Sequence, residues 1–527
     1  MRSAVVLGVA VTVLAAGCSS AAPEPRPAPT AGGPTRTAPS TTPSTTPSAP
    51  GRVRAVAENA KRGTTAWRMD SRRIAGPMEL AGFADHVSVR SGQPFRLFVT
   101  SAAGAFTVRA FRIGWYGGTG ARLVWTSPAV PGRAQPAPVV RRSDHLVSTT
   151  WKPTLTVPTT GWPAGAYLIM LTAASGKQKY VPITVRSDST RGAVVIVNAV
   201  NTYEAYNEWG GYSLYNGPDK SLASRAQRVT FDRPYDGNGA RTLVQSELPL
   251  IQLAERSGVR LAYLTSVDVA TNPAALAGAR GIVSPGHDEY WTVAMRDAVT
   301  KARDAGTNVA FLGANAVYWR VRYEPGPLGA NRMLVGYKDA ALDPLRNRPE
   351  TTAKWRSRPD PRPENSLTGM LYECFPAVGR FIVHNPGFFL YAGTGATKGS
   401  TYPGLVATEV DRAYPIPGTP ANLQVVAHSP VSCGPSVHTF SDAIYYTVPS
   451  GAGVVDVGTM NWVPSLRGPN SKHGLDERGV AFARKLTLNL IVAMAAGPLG
   501  RAHPAQADLN TLGASSSTST GTGGSVG

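Results

Sequence analysis

The chain has 527 residues, and its 53 lysines and arginines outnumber its 33 aspartates and glutamates, which gives a formal net charge of +20. This length is enough for two or three domains. The positive charge is spread as single arginines rather than as basic runs interleaved with aromatic residues, a pattern that argues against nucleic-acid binding. The basic surface can instead attract anionic lipid or an anionic wall polymer.

The N-terminus predicts a bacterial lipoprotein signal peptide over residues 1–17. The apolar run of residues 4–16 is too short to span a membrane as a helix, which takes about 20 residues. Small residues end this run directly before Cys18, so Cys18 is the expected lipidation site. An ordinary secretory signal with an incidental cysteine is the alternative. The prediction places the protein at the cell membrane, lipid-anchored on the extracytoplasmic face.

Composition and patterning divide the next part of the chain. Residues 18–60 are rich in Pro, Thr and Ser and predict a tether, and residues 503–527 predict a disordered tail. Period-two alternation of apolar and polar side chains recurs from residue 61 to 187, for example in residues 106–112. Short, regularly spaced strands of this kind predict an all-β sandwich domain.

From residue 188 to 502 the pattern changes to continuous apolar runs, such as residues 193–200, separated by helical stretches. Continuous apolar runs are typical of central parallel strands. We therefore expect a second, α/β domain built on a parallel sheet, a glutamine-amidotransferase-like (flavodoxin-like) layer. Mixed signals rich in Pro and Gly predict an irregular β insertion at about residues 346–449.

Two cysteines remain if Cys18 carries lipid. Outside the cytoplasm a disulfide between Cys374 and Cys433 is expected. Free structural thiols are the alternative, and a zinc site is disfavoured because neither cysteine lies in a C-x-x-C arrangement. The sequence also contains no H-E-x-x-H zinc motif, no Walker phosphate loop and no G-x-S-x-G elbow.

The segment 286–291, Gly-His-Asp-Glu-Tyr-Trp, follows a short apolar strand and precedes a helical stretch. His287 and Glu289 are two residues apart, so in an extended loop both side chains point the same way. One could bind a metal while the other moves a proton. The alternative is a turn in which His287 and Asp288 cap the following helix.

Two other predicted strand ends carry polar side chains. Tyr206 lies in segment 201–211 after the first buried strand, and Asn315 follows a later one. The carboxyl ends of parallel strands meet at one edge of a sheet, and open α/β sheets bind ligands there. We therefore expect Tyr206, His287, Glu289 and Asn315 to converge on one site.

Segments 202–211, 286–291 and 313–315 resemble the C-terminal part of the N,N-dimethylformamidase large (beta) subunit family. Segment 111–118, Phe-Arg-Ile-Gly-Trp-Tyr-Gly-Gly, fits the same family, and the resemblance spans roughly residues 75 to 500. It implies a mononuclear Fe(III) site with two tyrosines and one glutamate as ligands, together with polar residues beside the metal. The matching ligands are Tyr167, Tyr206 and Glu289; His287 and Asn315 match the polar residues, and Glu409 matches a glutamate near the substrate.

The implied chemistry is hydrolysis of a small, non-peptide amide. Phenolate and carboxylate oxygens are hard donors that suit Fe(III). In the chemistry that the resemblance implies, the metal would activate a water molecule for attack on the amide carbonyl. His287 could take or give a proton to help the amine leave, and Asn315 could orient the substrate or stabilise the oxyanion. The family enzyme works with a small partner subunit, of which this sequence reveals nothing, and an oligomer remains an open expectation.

Two alternatives to an envelope-anchored amide hydrolase stay open on the sequence. One is a non-catalytic envelope lipoprotein that binds an anionic wall polymer or a protein partner, which the basic charge favours. The other is a hydrolase of an ester or a glycoside. Glu289 and Glu409 could serve a glycosidase if their carboxylates lie roughly 5 to 10 Å apart across a cleft.

Overall fold

The structure is a computed structural model that describes residues 56–102 and 104–515. The predicted signal peptide, Cys18 and most of the predicted tether lie outside the described residues, as do residues 516–527 of the predicted tail. Within the predicted tail, Asp508 Oδ1 accepts the backbone N–H of Val425 at 2.6 Å. The folded part therefore continues past residue 502.

The N-terminal strands form two sheets that share one hydrophobic core. A three-stranded sheet has the order β1-β3-β8, a five-stranded sheet has the order β2-β10-β9-β4-β5, and β6 pairs with β7. Alternate residues of β3 and β9, such as Leu97 and Ile169, lie in the shared core. The strands are β1 (Leu80–Ala84), β2 (Ser88–Val89), β3 (Phe95–Ser101), β4 (Phe106–Ile113), β5 (Ala121–Thr126), β6 (Val139–Arg141), β7 (Leu146–Ser148), β8 (Leu155–Val157), β9 (Gly165–Ala173) and β10 (Gln178–Val185).

The remaining strands form a nine-stranded sheet and a four-stranded sheet. Their orders are β13-β11-β14-β16-β23-β22-β21-β19-β20 and β12-β18-β17-β15. The predicted domain boundary at residues 187 and 188 falls between β10 and β11 and stays a prediction. The strands are β11 (Val194–Asn198), β12 (Arg228–Thr230), β13 (Leu261–Thr265), β14 (Gly281–Gly286), β15 (Tyr290–Thr292), β16 (Asn308–Gly313), β17 (Trp319–Gly326), β18 (Gly329–Val335), β19 (Leu371–Ile382), β20 (Thr401–Arg412), β21 (Gln424–Cys433), β22 (Val437–Thr447) and β23 (Gly453–Asp456).

The prediction of a flavodoxin-like α/β layer is wrong. Strands make up 34% of the chain against 20% helix, and the large sheets are mixed and mainly sandwich-like. The parallel strands β13, β11, β14, β16 and β23 continue directly into the antiparallel strands β22, β21, β19 and β20. These last four strands come from the stretch that the sequence predicted as an irregular insertion.

A β-bulge explains why the sequence concealed these strands. The register of β19 against β20 shifts between Cys374 and Ala377, where Phe375 and Pro376 intervene. Proline cannot donate to a β ladder and is tolerated at a bulge, so a strand that contains it loses the regular alternation that predicts strands. Backbone pairing on both sides of the bulge nevertheless extends the sheet.

The helices are short except for Glu477–Ala496, which packs on the sheet through residues such as Val480 and Leu490. In the described part of the chain it alone is long and apolar enough to cross a membrane, and half of its most apolar window is buried. Further α-helices are Val200–Ala205, Arg241–Ser246, Leu248–Arg256, Ser266–Thr271, Val293–Asp304, Asn365–Thr368, Trp462–Ser465 and Leu499–Ala502. 3-10 turns lie at Ser71–Arg73, Tyr116–Gly118, Phe389–Tyr391, Ser471–His473 and Leu509–Ser515.

Candidate active site

A tight turn after β14 presents the loop that carries His287 and Glu289. Gly286 ends β14 with φ +41°, and a Cβ atom there would lie 2.2 Å from the carbonyl oxygen of Ser246. A side chain at this position is excluded both by the backbone conformation and by the close approach. The turn therefore requires glycine, and it directs Glu289 into the interior, where it is fully buried.

The helix that follows this loop has its own cap. The side chain of Thr292 accepts the backbone N–H of Met295 at 3.1 Å, as expected of an N-cap threonine. The alternative in which His287 and Asp288 cap this helix is therefore wrong.

Glu289 is the centre of the candidate site, and two tyrosines bind its carboxylate. The hydroxyl of Tyr206 donates to Oε2 at 2.7 Å, and the hydroxyl of Tyr215 donates to Oε1 at 3.0 Å. The two phenol rings stack with their centroids 4.7 Å apart. Asn315 Nδ2 also donates to Oε1, at 3.2 Å. Two phenol oxygens and one carboxylate therefore converge in a buried position.

His287 stands between two carboxylates. Its Nε2 atom lies 3.5 Å from Glu289 Oε2 and 4.0 Å from Glu409 Oε2. Among the described residues, Nε2 has no hydrogen-bond partner, and neither do Glu409 Oε2 and Asn315 Oδ1, although all three atoms are buried. Buried polar atoms normally have partners, so this cluster is a place where a polar ligand or substrate can bind.

The mixed sheet positions Asn315 and Glu409 together. Asn315 follows the parallel strand β16 in a left-handed conformation, with φ +58°, which asparagine adopts more readily than most residues. Its backbone N–H donates to both carboxylate oxygens of Asp411 on β20, at 2.8 and 3.1 Å. Glu409 lies on the same antiparallel strand, two residues earlier, on the same face. One strand thus fixes Asn315 and supplies Glu409.

Tyr215 and Lys338 are site residues that the sequence analysis missed. Lys338 Nζ lies 3.4 Å from the centroid of the Tyr215 ring and donates to the hydroxyl of Tyr290 at 2.7 Å. In this position the ammonium group is attracted to the face of the Tyr215 ring. Tyr215 lies a few residues beyond segment 201–211, which was predicted to contribute to the site. This proximity in sequence is the feature that could have indicated Tyr215. Lys338 follows β18 in the four-stranded sheet, and no local pattern indicates it.

Burial and charge shift the pKa values in this site. Burial raises the pKa of Glu409 to about 7, opposed by His287 and reinforced by Glu289. Burial also acts to raise the pKa of Glu289, but His287 and Lys338 outweigh it, and the net direction is downward. Burial lowers the pKa of Lys338 to about 7. The pKa of His287 is raised, because Glu289 and Glu409 outweigh its burial.

The prediction that Tyr167 is a metal ligand is wrong. Tyr167 lies on β9, its side chain is part of the sandwich core, and its ring stacks on Trp162 with centroids 5.1 Å apart. Its hydroxyl donates to the carbonyl oxygen of Pro163 at 2.6 Å. Because β9 is a central strand, an inward-facing residue there is held within the sandwich, and Tyr215 is the second tyrosine that contacts Glu289.

The expected disulfide between Cys374 and Cys433 is present, with the two Cα atoms 6.1 Å apart, within the usual range. It joins β19 and β21, which are neighbours in the nine-stranded sheet. The disulfide therefore braces the antiparallel half of the sheet, which also contains Glu409.

The donor atoms around Glu289 fit a hard cation in their chemistry. Phenol and carboxylate oxygens are the kinds of ligand that Fe(III) prefers over sulfur. Among residues 56–102 and 104–515, no group of three or more His, Cys, Asp or Glu side chains could hold a metal ion. A metal site here would therefore depend on the tyrosines, with Tyr206, Tyr215 and Glu289 as the oxygen donors.

The family model for N,N-dimethylformamidase beta subunit-like proteins, C-terminal part, matches residues 107–476. The chain belongs to this family, as the resemblance predicted. The match spans most of the sandwich and the nine-stranded sheet, and it includes Tyr206, Glu289 and the residues around them.

A search of curated proteins finds no match to the chain. Among solved structures, the chain is similar to a crystal structure of a Paenibacillus sp. cycloisomaltooligosaccharide glucanotransferase complexed with cycloisomaltoheptaose. The identity is 9%, the TM-score is 0.17, and the alignment covers 79% of this chain and 80% of that chain. A likeness at this TM-score supports no conclusion about fold or function.

Proposed function

We propose that this protein hydrolyses the C–N bond of a small, non-peptide amide at the site around Glu289. The observation that carries the proposal is the convergence of Tyr206, Tyr215 and Glu289 beside the unpartnered Nε2 atom of His287. Membership of the N,N-dimethylformamidase beta subunit-like family supports the same reaction class. Because fold alone does not define function, the donor set and its neighbours carry the argument.

Tyr206, Tyr215 and Glu289 would hold a mononuclear Fe(III) ion in this proposal. When bound, such an ion polarises an amide carbonyl and lowers the pKa of a water molecule. The tyrosine hydroxyls that now donate to Glu289 would give up their protons on binding the cation. Lys338, which lies against the Tyr215 ring, would favour the resulting phenolate through its charge.

The remaining polar side chains supply proton transfer and orientation. In this proposal His287 Nε2 takes a proton from the attacking water and delivers one to the departing amine nitrogen. Glu409 Oε2, 4.0 Å from that atom, would stabilise the protonated imidazole between the two steps. Asn315 Oδ1 is buried and unpartnered, so it can accept a hydrogen bond that fixes the substrate or the water.

We also propose that the protein works outside the cytoplasm, anchored to the membrane by lipid at Cys18. The Cys374–Cys433 disulfide supports this location, because disulfides form and persist mainly in oxidising compartments.

The test of the site is iron content and visible absorption of the purified protein, compared with variants. Tyr206→Phe, Tyr215→Phe and Glu289→Gln are each expected to lose iron and the phenolate-to-iron absorption band. Tyr167→Phe is the matched control, since its hydroxyl donates to the carbonyl oxygen of Pro163 within the sandwich, and it should retain both. Hydrolysis of N,N-dimethylformamide and other small amides, measured by the amine released, should be lost in the same variants.

Two results would contradict the proposal. If the protein takes up no iron on reconstitution and turns over no amide, both the proposed metal site and the proposed reaction are excluded. Iron and colour retained in Tyr215→Phe but lost in Tyr167→Phe would show that the tyrosine set is wrong.

A further inference from the structure

A cavity lies at the seam between the sandwich and helix Leu248–Arg256. Its volume is about 510 Å³, within the range of small-molecule sites. Trp67 and Trp115 line its sandwich side, and Trp67 is fixed by the hydrogen bond from its Nε1 atom to the carbonyl oxygen of Thr119, at 2.9 Å. The cavity shares no lining residue with the site around Glu289.

Every charged residue that lines this cavity is an arginine. The four are Arg68, Arg256, Arg467 and Arg484. Each forms no salt bridge within the described part of the chain, whereas Arg112, Arg122 and Arg332 each pair with a carboxylate. Arg68, Arg256 and Arg467 are exposed and Arg484 is half-buried, so their guanidinium groups are accessible to a ligand. An anion bound among them would supply the charged partner that these arginines lack in the described structure.

Backbone carbonyl groups hold two of these arginines in place. Arg467 donates to the carbonyl oxygen of Val244 at 2.7 Å. Arg484 donates to the carbonyl oxygens of Leu466 and Arg467 at 2.9 and 3.0 Å. A guanidinium group has five N–H donors, so each of these side chains keeps donors for a ligand while its position is fixed.

The other two arginines lie over the tryptophans. The guanidinium carbon of Arg256 is 4.9 Å from the centroid of Trp115, and that of Arg68 is 5.6 Å from the centroid of Trp67. Together with the apolar side chain of Leu253, the edge of the buried Trp67 and the half-buried Trp115 give the cavity apolar surface beside cationic groups. The ligand that matches both features carries an anionic group on a ring with an apolar face.

We infer that this cavity binds an anionic carbohydrate, a sugar unit that bears a carboxylate or a phosphate group. Arginine binds both groups through paired N–H donors, and the C–H face of a sugar ring can pack on an indole. An acidic peptide would engage the arginines but would make little use of the tryptophan surface. The inference also gives a role to Trp115, which belongs to segment 111–118 and takes no part in the proposed hydrolysis. It does not depend on that reaction.

The experiment is calorimetric titration of the protein with an oligogalacturonate and with mannose phosphate, which separate the carboxylated from the phosphorylated ligand. A neutral maltooligosaccharide and polyglutamate are the comparison ligands. At least one anionic sugar should bind, more weakly at high salt, and more tightly than either comparison ligand. Replacing Arg68→Gln and Arg256→Gln together should weaken that binding by about tenfold or more.

Arg280→Gln is the matched control, because Arg280 is exposed, belongs to a different cavity and likewise forms no salt bridge in the described structure. The affinity of this variant for the anionic sugar should differ from that of the wild type by less than about twofold, as expected of a surface substitution away from the ligand. The inference is overturned if neither anionic sugar binds, if polyglutamate binds as tightly as the sugars, or if the double variant binds like the control. Amide turnover, measured on the same samples, reports on the other site separately.

Discussion

At the scale of single residues, a buried ion pair fixes the loop that carries both site tyrosines. Arg233 Nε lies 2.7 Å from Glu204 Oε1, and both side chains are fully buried. The other N–H groups of Arg233 donate to backbone carbonyls that lie between Tyr206 and Tyr215 in the chain. These carbonyls belong to Asn207, Trp209 and Tyr212. The spacing of the two phenols therefore depends on one guanidinium group.

Removing this guanidinium should be costly. Arg233→Met leaves the carboxylate of Glu204 buried without its partner, and we expect the free energy of unfolding to fall by about 3–5 kcal/mol. Urea denaturation of the variant and the wild type measures this difference in the free energy of unfolding. Arg241→Gln is the control, because it breaks a half-exposed pair with Asp236 that should contribute about 0–1 kcal/mol. Similar losses in the two variants would show that Arg233 does not have this role.

Asp85 in the sandwich should make stability depend on acid pH. Burial acts to raise the pKa of Asp85, but hydrogen bonds from His86 and Arg96 outweigh it and lower the pKa from 3.8 to about 2. Because the folded-state pKa is the lower one, this stabilisation is fully present above pH 3.8 and is lost as pH falls through about 2. The amount is about 1–2 kcal/mol after allowance for solvent screening.

The measurement for Asp85 is urea denaturation of wild type and Asp85→Asn across the acid range. The variant should be less stable near neutral pH, and the difference should shrink between pH 3.8 and about 2. Asp188→Asn serves as the control. Its carboxylate is mostly exposed, and its ion pair with Arg90 is long, at 3.8 Å, so it should contribute little to stability. A difference for Asp85→Asn that stays constant over this range would exclude the proposed linkage.

At the scale of elements, the antiparallel strands β19 to β22 do more than extend the sheet. They supply Glu409 and, through Asp411, the hydrogen bonds that fix Asn315. The disulfide between β19 and β21 closes a loop with a sequence separation of 59. Strand pairing and the covalent link thus act on the same part of the chain.

Removal of this disulfide should lower stability. Cys374→Ser combined with Cys433→Ser should reduce the free energy of unfolding by about 4 kcal/mol, the chain-entropy estimate for a loop of this length. Thermal or urea unfolding without reductant measures the loss. With reductant, wild type should approach the variant while the variant stays unchanged. Equal stability of the two proteins without reductant would mean that the bond contributes nothing.

At the scale of the whole molecule, a second buried ion pair joins the sandwich to the nine-stranded part. Arg112 on β4 lies 2.6 Å from Glu255 Oε1, and Glu255 also accepts the hydroxyl of Tyr263 at 2.6 Å. Arg112 donates to the hydroxyl of Tyr116 at 2.9 Å. Segment 111–118 therefore serves the seam between the two parts and borders the arginine-lined cavity, which lies along the same seam.

Much of the candidate site could be predicted from the sequence, because its residues lie just beyond buried strands. His287 and Glu289 follow β14, Asn315 follows β16, and Tyr206 lies one short helix beyond β11. The four residues do come together. Tyr167 shows the limit of this reasoning. An inward-facing strand residue has the same local pattern whether it faces a site or a core, and only its position on β9 decides between them.

The sequence by itself determined the family, the disulfide pair, the sandwich strands and the turn that presents Glu289, because each rests on local patterns, local backbone geometry or recognisable segments. Only the tertiary structure decided that the parallel strands belong to a mixed sheet, that Tyr215 and Lys338 join the site, and that four arginines share one cavity. Those features depend on contacts between residues far apart in the chain. Backbone pairing across a bulge and the approach of side chains from different sheets leave no periodic trace in a sequence.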